Sequence, residues 1–158
     1  WDKAFTNVTA NLTVTAQYEQ QATGLTLTVE TKTAERGQEV QILVSVRNNP
    51  GILGATLKLS YDDSVLTLVS AENGAAASAL VMTPPGKFLN GCQFVWDAMD
   101  LEDGDIKDGE FLVLTFRVAE NAPAGSYSLE LSGRNGDIFD KDWNDLTPVF
   151  YQGGITIS

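Results

Sequence analysis

The chain has 158 residues, 43% of them hydrophobic and 20% charged, which suits one globular domain with a real core and is too apolar for general disorder. Twenty-one Asp and Glu against ten Lys and Arg leave a net charge of -11, the wrong sign for gripping nucleic acid or an anionic membrane through a basic surface. Histidine is absent, which removes the usual general base of Ser/His/Asp and Cys/His chemistry and the commonest transition-metal ligand.

Residues 1 to 22 stand apart. Leu12, Val14, Ala16 and Tyr18 alternate in a short Thr-rich strand, and the polar run Glu19 to Gly24 has linker character, so a boundary is expected near residue 22. Trp1 to Tyr18 resembles the closing part of the short β-repeats of bacterial surface proteins. With Trp1 at its start and no basic-then-apolar leader, the sequence reads as a fragment of a longer chain.

From Leu25 onward apolar residues recur with a period of two: Leu25, Leu27, Val29; Val40, Ile42, Val44, Val46; Leu53, Ala55, Leu57, Leu59, Tyr61. The pattern returns in Cys92, Phe94, Trp96, in Leu112, Leu114, Phe116, Val118, in Tyr127, Leu129, Leu131 and in Ile155, Ile157. Turn residues punctuate these runs at Arg36-Gly37, Asn48 to Gly51, Pro84-Pro85-Gly86, Asn90-Gly91, Asp108-Gly109, Ala122 to Gly125, Asn135-Gly136 and Gly153-Gly154. Half-buried strands so divided predict an all-β sandwich. Cys92, alone and within an apolar alternation, reads as a small buried hydrophobe.

Five segments in register carry a resemblance. They are Gly37 to Val44, Gly51 to Asp62 with Ser64-Val65-Leu66, Asp108 to Phe116, Ala122 to Gly125, and Gly153 to Ile157. Together residues 25–158 resemble a cohesin, the module of cellulosomal scaffoldins that receives dockerins. The resemblance implies a nine-stranded jelly-roll β-sandwich and a non-catalytic protein–protein binding function. It also implies an extracellular place in a cellulosome or on a bacterial cell surface, a dockerin-bearing partner that carries the calcium, no cofactor of its own, and a monomer when free. In such proteins the partner docks on one sheet face, made by the third, fifth, sixth and eighth strands.

Alternation then nominates the contacts. With Leu53, Ala55, Leu57 and Leu59 inward, Gly54, Thr56 and Lys58 point outward, and Gly54 and Thr56 fall where other members of the family carry Asn and Asp. With Cys92, Phe94 and Trp96 inward, Gln93, Val95 and Asp97 face out, whereas a one-residue slip would instead expose Trp96. Phe88 and Met99 are apolar contributors at the ends of this face, although Phe88 equally suits a cap on the core. Trp143 stands among Asp140, Lys141, Asp142, Asn144 and Asp145, too polar a setting for a strand core, and is read as a loop aromatic at a binding hot spot.

Eleven acids gather in two segments, Asp97 to Glu110 and Asp137 to Asp145, and are expected to form a solvated rim that steers a basic partner. An EF-hand loop begun at Asp140 fails, since its sixth and twelfth positions are Asp145 and Tyr151 rather than Gly and Glu. Acids in polar loops also lack the apolar wall that raises one carboxyl pKa for glycoside hydrolysis, so no enzyme is expected. The alternative reading is a carbohydrate-binding β-sandwich module, which calls for several exposed aromatics in line.

Overall fold

The computed structural model describes residues 24–158. The expected strand at Leu12 to Tyr18 and the boundary near residue 22 lie outside the described residues. Those that are described form twelve strands: β1 (Thr26–Val29), β2 (Thr31–Ala34), β3 (Glu39–Arg47), β4 (Ile52–Ser60), β5 (Leu66–Asn73), β6 (Val81–Thr83), β7 (Cys92–Asp97), β8 (Gly109–Val118), β9 (Gly125–Ser132), β10 (Ile138–Asp140), β11 (Val149–Tyr151) and β12 (Gly153–Ile157).

Two sheets face each other. One runs β11-β1-β3-β8-β5, and the other runs β2-β12-β9-β4-β7-β6, with β10 also paired to β4. The difference from nine has a physical cause. The first strand breaks at Glu30 and the last at Gln152, each half pairing in a different sheet, and the three-residue β10 adds one more.

Those two breaks close the sandwich. β1 pairs β11 in parallel, and β2 pairs β12 in parallel, so the chain's outer strands cross between the sheets side by side. Their approach is so close that a Cβ on Gly153 would lie 2.3 Å from the carbonyl oxygens of both Val29 and Glu30. Gly153-Gly154 is therefore the start of β12 at a crowded corner rather than a turn between strands.

The core lies between the sheets and contains every inward residue that alternation nominates in β3, β4, β7 and β8 apart from half-buried Val40. Trp96 and Phe94 are buried, so the unslipped register is the real one. Trp96 packs on Phe111 at 5.1 Å between ring centroids, and Tyr61 meets the edge of Phe116 at 5.2 Å. The Trp96 indole Nε1 donates to Asn73 Oδ1 at 2.8 Å, while Asn73 Nδ2 donates to the carbonyls of Ala77 and Leu80 at 3.1 and 2.8 Å. One amide thus satisfies three polar groups where the sheet ends, and among the described residues no buried side-chain polar atom lacks a partner. Cys92 is buried, and burial pushes its thiol pKa up, the state of an unreactive sulfur.

Candidate functional site: the outward face of β6, β7, β4 and β10

The candidate site is the outer face of the second sheet. Cross-strand pairs set its rows: Val81, Asp97 and Gly54 in the first, Thr83, Val95 and Thr56 in the second, Gln93, Lys58 and Ser132 in the third. Thus Thr56, Lys58, Gln93, Val95 and Asp97 stand together on one face, as their alternation requires. Val95 is 38% exposed and Val81, on the adjoining edge strand, 64%. Val81 was missed in the sequence because β6 is only three residues long and cannot display a period.

Gly54 points to this face but is buried, a correction to its expected role as a contact. A Cβ at Gly54 would lie 2.2 Å from Cζ of Phe139, because β10 lays that ring directly over the glycine. Gly54 therefore makes room for an aromatic instead of touching a partner. This roof also explains why Ile52 to Ala55 are all buried, with no alternation at the start of β4.

Phe139 is itself the floor for Trp143. Their rings stack at 5.1 Å with only 11° between planes, and Trp143 remains 74% exposed. Trp143 has φ 66°, a left-handed conformation that costs a bulky residue about 1–3 kcal/mol. Asp140 holds it there. Its Oδ1 accepts the backbone N–H groups of Asp142 and Asn144, both at 2.9 Å, while the Trp143 N–H donates to the Asp140 carbonyl at 3.0 Å. These bonds, led by that from the Asn144 backbone, hold the Asp140 carboxyl below its ordinary pKa.

Two nominated residues fall elsewhere. Phe88 is half-buried, stacked on inward-facing Phe94 at 6.3 Å, and its carbonyl accepts the Tyr61 hydroxyl at 3.1 Å, so it caps the core and is not part of the outer face. Met99 is fully exposed in the loop after β7.

The acidic segments are more structural than a purely solvated rim. Asp108 accepts the N–H groups of Asn48 and Asn49 at 3.0 and 2.9 Å, and Asp105 and Glu102 cap one turn reciprocally. Lys141 Nζ meets Asp103 at 3.1 Å and ties the two acidic segments together, an ion pair that raises the Lys141 pKa. Among the described residues no group of three or more Cys, Asp or Glu is gathered closely enough to hold a metal ion.

The family model described as Cohesin domain matches residues 25–157. Cellulose-binding protein A of Clostridium cellulovorans is 27% identical over 146 residues, which is 89% of this chain and only 7% of that protein. Among solved structures, the fold resembles a non-cellulosomal cohesin from Archaeoglobus fulgidus, with a TM-score of 0.70 and 23% identity over 85% of this chain and 91% of that one. It also resembles a Coh-OlpC–Doc435 complex of Clostridium thermocellum, with a TM-score of 0.71 and 21% identity over 94% and 99% of the two chains. With a two-sheet sandwich in hand and the family pattern running through nearly all of it, the chain belongs to the cohesin domain family.

Proposed function

We propose that this domain is a non-catalytic docking module that binds a calcium-loaded dockerin on the outer face of β6, β7, β4 and β10. The observation that carries the reading is the exposed apolar strip on an otherwise polar face: Val81, Val95, and Trp143 raised on Phe139. Apolar groups grouped on a sheet face and rimmed by charge mark a protein contact, and Trp is the side chain most enriched at binding hot spots. Family membership supports the same reading, as do similar solved structures that are cohesin–dockerin complexes. The calcium belongs to the dockerin, and the parent protein works outside the cell, gathering dockerin-bearing enzymes or scaffolds.

The carbohydrate alternative requires aromatics in line. Among the described residues the two most exposed aromatics are Trp143, beside the second sheet, and Tyr151, in β11 of the first. They share no platform.

Titration calorimetry against a panel of recombinant dockerins, with and without a calcium chelator, tests the proposal. Binding that requires calcium and weakens in Trp143→Ala by about 2 kcal/mol or more is expected. Retention on cellulose with no dockerin bound would overturn it.

A further inference from the structure

The strand β4 changes partner midway. Lys58 to Ser60 pair with β9, whereas Ile52 to Ala55 pair with β10, and the Thr56 N–H bridges the change by donating to the Asp137 carbonyl at 2.7 Å. Between the two strands the chain swings outward through residues 133–137, leaving an open hollow of about 350 Å³ on the outer face. Thr56, Lys58, Gln93, Ser132, Arg134 and Asp137 line it.

Its charge is opposite to that of the whole molecule. Asp137 is already engaged, its Oδ2 accepting the Arg134 N–H at 3.0 Å and lying 3.5 Å from Arg134 Nε, so these two side chains neutralise each other. Lys58 forms no ion pair among the described residues and is left as the net charge, surrounded by the neutral hydroxyls and amide of Thr56, Ser132 and Gln93. A second hollow of about 360 Å³ further along β4 and β9 has Asp62 and Glu130 in its wall and no Lys or Arg. The positive character is thus local to the first.

We propose that this hollow is a specificity-determining contact that receives an Asp or Glu side chain of the dockerin, an inference that rests on the docking reading above. In a protein of net charge -11 a carboxylate is repelled over most of the surface and is welcome in the hollow where Lys58 is left unpaired. The hollow therefore fixes the register of the partner as well as attracting it. Lys58 is four residues along β4 from Gly54, which lies beneath the aromatic stack, a separation of about 13 Å at strand spacing. A fitting dockerin presents an apolar group to Trp143 and a carboxylate about 13 Å away, with Val95 in the row between.

The test is a charge-swap cycle on a dockerin that the wild-type chain binds in the calorimetric panel. Lys58→Glu is expected to weaken binding more than about tenfold and Lys58→Gln by less. Changing each Asp and Glu of the dockerin's contact surface to Lys in turn should yield one partner variant that binds Lys58→Glu better than it binds the wild-type chain. Lys58 is exposed, so both variants retain the fold, as their unchanged melting curves would show. If Lys58→Glu binds within twofold of wild type while Trp143→Ala is impaired, the hollow is not read by the partner and the docking face stands. If the wild-type chain binds no dockerin of the panel, the docking reading falls and takes this inference with it.

Discussion

Trp143 owes its position to a carboxylate, and this makes the exposed aromatic sensitive to acid. Asp140 has a folded-state pKa below its ordinary value, so the unfolded loop takes up a proton before the folded one does. The stabilisation is therefore complete above the usual aspartate range, near about pH 4, and is lost as pH falls through the depressed value. The expected outcome is a change in Trp143 fluorescence on acidification that Asp140→Asn displaces, while the buried Trp96 is silent until global unfolding. The same loop shows how a residue can be found and its neighbour missed. Trp143 was legible because its polar surroundings deny it a core, but nothing in Ile138-Phe139-Asp140 announced that Phe139 would cover Gly54. That contact joins residues 85 positions apart, and local pattern carries no record of it.

At the scale of elements, the strands that the sequence made visible are those whose alternation is uninterrupted. β3, β7 and the part of β4 from Ala55 onward present odd or even positions to the core as expected, and so place Val95, Lys58 and Gln93 on one outer face. β5 was only half visible. Leu66 and Leu68 face inward, then a bulge leaves Val69 unpaired opposite β8, and the inward positions shift to Ala71 and Asn73. A bulge erases the period that would have revealed it. β8 has a similar slip, where Phe111 stands between the pairs Val44–Leu112 and Ser45–Glu110 and joins Leu112 in the core. β2, β6, β10 and β11 are too short to show alternation at all. Asn73 gains its importance from the shift in β5, because it turns the amide inward to meet Trp96. Asn73→Ala strands the indole N–H and two carbonyls and is expected to lower unfolding free energy by about 2–4 kcal/mol, measured by urea denaturation. Asn73→Asp, retaining the acceptor alone, should be no better than partly tolerated.

Over the whole molecule, the charge asymmetry acts at longer range than any contact. A net charge of -11, with acids concentrated in two segments beside the apolar strip, attracts a basic partner body, and the steering is screened over about 8 Å at physiological salt. The association rate in stopped-flow mixing is therefore expected to fall as salt rises, while the dissociation rate, which under the proposed docking reading is set by Trp143 and the apolar strip, is expected to change little. A flat association rate would remove steering from the account.

The parallel pairing of the outermost strands has a mechanical meaning. β1 and β2 run in the same direction as β11 and β12 beside them, so tension applied between residues 24 and 158 drags the two partners past each other along their own axes. Hydrogen bonds loaded in this way share the force and must yield together, whereas a hairpin pulled from its open end gives way one rung at a time. Gly153, wedged against the carbonyls of Val29 and Glu30, lies at the middle of this clamp. Pulling single molecules by residues 24 and 158 should accordingly give one high, abrupt rupture, and attaching the handles at Asn48 and Asn90 instead should give a lower one. A docking domain loaded through its two ends is well served by a resistance that resides in its own closing strands.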